Sequence, residues 1–279
     1  MILLAELDEK YSSLVKGRKD IDFIGVNIAP FELKVYQRCE VDDEITCALK
    51  ARGMLRNTEV VLSSEQEHDT HRTDIAVKAR NDVKMEYLFD VLRGKAEFFA
   101  SQESVIRDIA ALKVTDAEGY QFMSLYHIGF AERHGTIAAL KFYFRLMWCV
   151  NPDIKHEKFE YMDSYFIDSI RRILAPKYEE LLHIAEKILS QSPKHLWMLG
   201  IDLTSSGVEK VKIYIRNTNP SENIYGLLAG VLSENLRMWM IPEELRTIEE
   251  WNLRHKKLRC EGFALGMTPD YEYSLNLYY

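Results

Sequence analysis

LGIDLTSSGVEKVKIYIR (199–216) is the stretch that decides the fold. It opens with an apolar segment that holds Gly200, turns at TSSG, and returns through a segment in which apolar residues alternate with Lys212, Tyr214 and Arg216. Alternation with a period of two is typical of a β-strand that has one buried and one polar face. The stretch therefore predicts an antiparallel hairpin with basic and aromatic side chains on one side.

The same pattern is found elsewhere along the chain, as an apolar segment with a small residue followed by a strand that ends near a tyrosine. Clear copies occupy 24–38, 128–145 and 265–279. A looser copy occupies 73–89, where Ala76 replaces the glycine. Self-similarity at long spacing indicates a fold built from one repeated unit. We predict five hairpins.

The segments between the hairpins show helical periodicity. Apolar residues recur at i, i+3, i+4 and i+7 in 93–113, 164–190 and 222–257, and Pro242 divides the last of these into two predicted helices. The repeat unit is therefore roughly αββα. The apolar strand faces need the helices as partners, and closing the sheet removes its exposed edges. We predict an α+β fold over 1–279 as one domain: a barrel of about ten antiparallel strands inside a ring of helices.

A basic-x-Tyr-x-Arg motif ends three of the predicted hairpins. Its members are Lys34, Tyr36 and Arg38, then Lys141, Tyr143 and Arg145, then Lys212, Tyr214 and Arg216. A solvated strand face with snorkelling cations is the bland explanation of such a stripe. Repetition at matched positions instead favours a polar barrel interior lined by tyrosine.

Such an interior suits one kind of chemistry. Lysine and arginine bind phosphate groups, and the faces of tyrosine rings attract cations. An allylic diphosphate uses both features, because it leaves a diphosphate anion and an allyl cation. A non-catalytic barrel that holds an anionic aromatic ligand is the alternative from another functional class.

One acid is a candidate for orienting the nucleophile or accepting its proton. Asp74 lies two residues before Ala76, and the period of two places Lys78 and Arg80 on the same face. A salt bridge from Asp74 to one of these cations is the structural alternative to a catalytic role.

The repeated unit resembles the ABBA, or PT-barrel, aromatic prenyltransferases, through five hairpins that cover nearly the whole chain. DIAVK (74–78) is similar to that family's first-hairpin segment, and GMTPDYEYSLNLYY (266–279) to the last hairpin of bacterial small-molecule members. Residues 200–224 resemble the cyanobactin prenyltransferases, which modify ribosomal peptides. The acid-bearing hairpin is second here and usually first in the family, so either the acid is relocated or the order is permuted.

The resemblance implies a role for each residue type. Asp74 would be the catalytic acid. The diphosphate would be held by Lys34, Lys78, Lys141, Lys212, Arg216 and Arg80, with Arg145 and Arg38 as weaker candidates. The cation would be shielded by Tyr36, Tyr143, Tyr214 and Tyr278. Asn276 stands where the last copy should have lysine, which weakens one phosphate contact.

The expected reaction moves a dimethylallyl or geranyl group from its diphosphate to a nucleophilic side chain of a small or cyclic peptide. A free indole or phenol metabolite is the alternative acceptor. No tightly bound cofactor and no metal site are expected, although Mg²⁺ could accompany the diphosphate. The net charge of −7 disfavours nucleic acid and anionic membranes as partners. We expect a cytoplasmic protein, monomeric or weakly homo-oligomeric.

Overall fold

The computed structural model describes most of the chain. It covers residues 4–19, 21–28, 31–38, 44–63, 70–76, 82–115, 121–133, 136–146, 167–168, 170–171, 174, 176–191, 194–217, 223–234, 241–255 and 258–279.

An antiparallel sheet of eleven strands dominates these described residues. The strands are β1 Ile21–Ile28, β2 Glu32–Arg38, β3 Leu55–Ser63, β4 Thr70–Ala76, β5 Lys113–Thr115, β6 Gln121–Arg133, β7 Thr136–Leu146, β8 Lys194–Thr204, β9 Gly207–Asn217, β10 Gly262–Met267 and β11 Tyr273–Tyr278. Their order is β4-β3-β2-β1-β11-β10-β9-β8-β7-β6-β5, and β4 also pairs with β6. That extra pairing joins the two arms of the order, so every strand except β5 lies in one hydrogen-bonded ring.

Seven described α-helices accompany the sheet. They are α1 Leu4–Val15, α2 Glu44–Ala51, α3 Asp82–Lys95, α4 Phe99–Ala111, α5 Glu179–Gln191, α6 Ile224–Ser233 and α7 Ile241–His255. α1 contacts β2 and α5 contacts β10. The predicted mixture of helices and a curled antiparallel sheet is confirmed. Within the part of the chain described, no helix has both the length and the apolar character needed to cross a membrane.

The alternation read from the sequence correctly separates the two faces of the sheet. Val211, Ile213 and Ile215 of β9 are buried in the main hydrophobic core, which they share with residues of the helices. The intervening Tyr214 belongs instead to a second, smaller cluster. The apolar face of the ring therefore meets the helices, and the polar face lines its inside, which we call the lumen.

One of the five predicted hairpins is wrong. The copy at 73–89 was expected to continue from β4 into a second strand, but Asp82–Lys95 forms helix α3. Its buried residues Leu88, Phe89 and Leu92 follow helical spacing, which outweighs the local resemblance to a strand. Tyr87 consequently lies outside the sheet, where its hydroxyl donates to the Ala48 carbonyl at 3.4 Å. The partner of β4 along the chain is β3, which precedes it.

The helix boundaries also differ in detail. The helix expected over 93–113 is divided, because α3 ends at Lys95 and α4 begins at Phe99. In 164–190, Pro176–Tyr178 forms a 3-10 turn before α5 begins. The division expected near Pro242 is confirmed, since α7 starts at Ile241 and places the proline in its first turn.

Tyr279 fastens the junction between β1 and β11. Its backbone exchanges two hydrogen bonds with Ile24, at 2.9 and 3.1 Å. Its hydroxyl lies 2.8 Å from the hydroxyl of Tyr225 on α6, which also accepts from the Asn252 side chain on α7 at 2.9 Å. Burial raises the pKa of the Tyr279 hydroxyl well above its ordinary value, so the group stays a neutral hydrogen-bonding partner. The ring junction is thereby tied to two helices.

We expect Tyr279→Phe to lower the free energy of unfolding by about 1 kcal/mol, because it removes one buried hydrogen bond and leaves the ring packing intact. Urea denaturation followed by circular dichroism measures this change. A double-mutant cycle with Tyr225→Phe isolates the coupling between the two hydroxyls. Purely additive single changes would show that the two hydroxyls do not stabilise each other.

Candidate functional site

Small residues and tyrosines alternate around the lumen from one strand to the next. A Cβ atom built on Gly25 would lie 3.1 Å from the Cε2 of Tyr36, and one built on Gly200 would lie 2.9 Å from the Cε2 of Tyr214. In each case the tyrosine ring lies over the glycine of the preceding strand in its own hairpin. The glycine–tyrosine pairing in the repeated sequence therefore has a steric cause: a larger residue would have to displace the ring.

Three tyrosines on neighbouring parts of the sheet form a continuous aromatic surface, which we call the tyrosine belt: Tyr143, Tyr214 and Tyr278. The ring centroids of Tyr143 and Tyr214 are 6.1 Å apart in an edge-on arrangement, and those of Tyr214 and Tyr278 are 6.1 Å apart and stacked. Ala264 lies beside Tyr214 in the register of β10 and β9 and is small enough for the stacked pair to meet. The belt presents ring faces and edges to the lumen, as a cation-shielding wall requires.

Four lysines lie next to the belt. Each of them precedes a tyrosine of its own strand by two or four residues. The set, which we call the lysine group, is Lys34, Lys141, Lys210 and Lys212. Two residues along a strand span about 6.6 Å. A carboxylate lies among them: Lys212 Nζ is 2.5 Å from Asp202 Oδ2, and the Asp202 side chain is only 9% exposed. Glu32 makes a second pair, 2.6 Å from Lys34 Nζ.

The charges of the lysine group act on one another across the lumen. Burial alone would raise the pKa of the Asp202 carboxyl, but the charges of Lys212 and Lys141 hold that pKa below its ordinary value. Burial lowers the pKa of Lys210, and the positive charges of Lys212 and Lys34 lower it further. Mutual repulsion of this kind shows that the lysines converge on one region.

Lys34 reaches the same region from the other side of the ring. Burial alone would lower its pKa, but Tyr36, Glu32 and Asp202 together raise the pKa above the ordinary lysine value. Within the lysine group and its described ion-pair partners, four lysines thus outnumber two carboxylates, Glu32 and Asp202. The region can attract an anion with more than one charge.

The arginines of the repeated motif are less concentrated than the lysines. Arg38 is largely exposed and pairs with Asp22 at 2.5 Å. The Arg145 guanidinium lies 4.9 Å from the ring centre of Tyr126, and its Nε is buried without a hydrogen-bond partner among the described residues. Arg216 is exposed. The three arginines follow the tyrosines along their strands and therefore lie on the far side of the belt from the lysines.

Asp74 lies on β4, and its backbone pairs with Gly129 on one side and Asn57 on the other. Gly129 in turn pairs with Lys141, so the backbone of Asp74 lies two strands away from that of Lys141. Lys78 and Arg80 lie outside the described residues.

Sequence reasoning missed two members of the site that its own period of two could have found. Asp202 follows Gly200 by two, and Lys210 precedes Lys212 by two. The two missed residues pair directly in the register of β8 and β9. Neither residue recurs at the matching position of the other hairpins, so the repeat does not indicate them. Asn276, which replaces the expected lysine of the last copy, pairs across the strands with Asn27.

The donor set around the lumen is basic and aromatic. The described parts of the chain contain no cluster of three or more histidine, cysteine or carboxylate residues able to hold a metal ion.

Comparisons with known proteins identify the fold. No family model matches the sequence and no curated protein matches it. Among solved structures, AnaPT from Neosartorya fischeri matches with a TM-score of 0.57 at 9% identity, covering 92% of this chain and 77% of that one. The NotF prenyltransferase matches with a TM-score of 0.57 at 10% identity, covering 92% and 79%. The fold implied by the sequence resemblance is therefore confirmed.

Proposed function

We propose that this chain is a single-domain prenyltransferase that transfers a dimethylallyl or geranyl group from its diphosphate to a nucleophilic acceptor. One observation carries the proposal: Lys141 and Lys212 each lie two residues before a belt tyrosine on the same strand, β7 or β9. The fold shared with the NotF prenyltransferase supports it. The arrangement supplies positive charge for a diphosphate and, about 6.6 Å further along the strands, aromatic faces for the prenyl chain.

The proposed reaction begins when the bond between the prenyl carbon and the diphosphate oxygen breaks. The electron pair leaves with the diphosphate, whose growing charge the lysine group stabilises. The allyl cation then lies against the tyrosine belt, which excludes water and lowers the energy of the positive charge. The acceptor nucleophile forms the new bond to carbon and gives its proton to a base, a role that we assign to Asp74.

The acceptor that we favour is a side chain of a small or cyclic peptide, as in the cyanobactin branch that residues 200–224 resemble. Phe23 lies opposite Tyr36 in the register of β1 and β2, and Phe23 is 41% exposed. An exposed aromatic at the tyrosine end of the lumen face suits a large acceptor that inserts one side chain. A free indole or phenol metabolite is the second candidate acceptor.

Mass spectrometry tests the proposal. The purified protein is incubated with dimethylallyl or geranyl diphosphate, with and without Mg²⁺, and with peptides carrying Tyr, Trp, Arg, His or Ser beside free tryptophan and phenols. A gain of one prenyl mass on a peptide supports the favoured acceptor, and fragmentation names the atom. A gain only on a free aromatic supports the second candidate. Diphosphate binding without any adduct would favour a non-catalytic binding barrel.

We expect Asp74→Asn to lower kcat about 100-fold or more and to leave diphosphate affinity nearly unchanged, because the change removes a proton acceptor and no phosphate contact. Asp108→Asn, at an exposed position on α4, is the matched control and should behave as the unaltered protein. If Asp74→Asn binds diphosphate normally and turns over at full rate, Asp74 is not the base.

A further inference from the structure

Asp202 is the least expected member of the site. It is a buried carboxylate at the centre of a region that should bind an anion, and its charge repels any phosphate that enters. The lysines keep its pKa low, so it carries that charge at neutral pH. An acid at this position needs an explanation other than chance packing.

The hydrogen bonding of Asp202 is incomplete. Oδ2 is paired with Lys212, whereas Oδ1 is buried and has no hydrogen-bond partner among the described residues. Buried carboxylates that serve only the fold normally have both oxygens satisfied. A carboxylate that is bound through a single oxygen loses fewer hydrogen bonds when another anion replaces it as the partner of its lysine.

The second pair in the lumen is similar in kind. Glu32 holds Lys34 as Asp202 holds Lys212, so two of the four lysines already have an internal anion. Asp202 differs because it acts on more of the group: Lys34, Lys141, Lys210 and Lys212 all interact with its charge. It is therefore the carboxylate whose removal would change the site most.

We propose that Asp202 competes internally with diphosphate for the lysine group. Its carboxylate pairs with Lys212 when the site is empty and thereby lowers the affinity of the site for diphosphate. This inference rests on the proposed binding of diphosphate by the lysines. A bound diphosphate must replace the carboxylate at Lys212, and the carboxylate returns to Lys212 as the diphosphate leaves. Asp202 thus acts as a positioning residue that favours release of the inorganic diphosphate product.

Calorimetric titration with inorganic diphosphate tests the proposal without requiring turnover. We expect Asp202→Asn to bind diphosphate at least tenfold more tightly than the unaltered protein, and Asp202→Glu, which keeps the charge, to remain within about threefold of it. Glu234→Gln removes the acid of an exposed lysine pair on the surface, 2.8 Å from Lys187, and should leave the affinity unchanged.

Two further readouts separate competition from a role in folding. Diphosphate should raise the melting temperature of Asp202→Asn more than that of the unaltered protein, because the tighter ligand contributes more stability. Inorganic diphosphate should also become a stronger inhibitor of prenyl transfer by the same factor as its affinity. If Asp202→Asn does not fold, the neutral and smaller Asp202→Ser is measured in the same way.

The outcomes distinguish the inference from the proposed function. If the unaltered protein binds diphosphate and Asp202→Asn binds it with equal or lower affinity, the competitor role is overturned and the prenyltransferase proposal still stands. Absence of diphosphate binding in both proteins would overturn both. Tighter binding in Asp202→Asn together with no prenyl transfer by the unaltered protein would support the competitor role and count against the enzyme.

Discussion

Replacing Lys212 with methionine is expected to lower kcat for prenyl transfer by a factor of about 100 to 1,000, the usual effect of losing one positioned charge at a developing anion. Lys212 lies two residues before Tyr214, at the boundary between the lysine group and the tyrosine belt. The proposed reaction therefore puts its ammonium group where the diphosphate oxygen separates from the prenyl carbon. Steady-state kinetics with saturating acceptor measures the loss.

The single change also disturbs the fold, because it leaves the buried Asp202 carboxylate without its lysine partner. Breaking a buried ion pair in this way costs about 3–5 kcal/mol. The double variant Lys212→Met with Asp202→Asn removes both charges and should recover most of this stability. It also restores the net charge of the lumen, so we expect KM for the prenyl diphosphate to return close to its original value.

The kcat of the double variant should nevertheless stay low, because net charge does not replace an ammonium group at the right place. Lys187→Met is the matched control: Lys187 also pairs with a carboxylate, Glu234, but on the surface. It should keep full activity and lose at most about 1 kcal/mol of stability. Full kcat in the double variant would show that Lys212 serves only to balance Asp202.

The face alternation was predictable because strand geometry imposes a period of two on every hairpin, whatever its neighbours. Lys34, Lys141 and Lys212 were placed on the lumen face by that rule alone, and the structure brings them into one electrostatic group. The tyrosines were predictable for a related reason. The rings of Tyr36 and Tyr214 each lie against a glycine on the preceding strand, so the two residue types recur together in the sequence.

The hairpin formed by β3 and β4 was not predictable in the same way. Its first strand, Leu55–Ser63, has no glycine–tyrosine pairing, and the residues after β4 mimic the repeat while forming α3. Leu88, Phe89 and Leu92 are buried at helical spacing. These residues form a helix because packing against the core outweighs a short strand-like pattern. Asp202 and Lys210 were not predictable from the repeat, because they occur in one hairpin only.

Gly262→Ala is expected to lower the free energy of unfolding by about 3 kcal/mol, at the upper end of the cost of overpacking. Gly262 lies between Arg216 and Tyr278 in the register of β9, β10 and β11. A Cβ atom there would come within 2.7 Å of the backbone oxygen of Ile215. A hydrogen-bonded strand backbone cannot turn aside as a side chain can, so β9 and β10 would have to separate locally.

Two other glycines calibrate this result. The Cβ of Gly200→Ala would approach the end of the Tyr214 ring, which can rotate, so its cost should be smaller. Gly230 is exposed on α6 with nothing within 4 Å of the added Cβ, and Gly230→Ala should stabilise the protein by up to about 1 kcal/mol through helix propensity. Urea denaturation of the three variants should therefore rank them with Gly262→Ala the least stable and Gly230→Ala the most stable. If Gly262→Ala and Gly230→Ala were equally stable, β9 and β10 would be able to separate at no cost. That result would contradict a closed ring of paired strands.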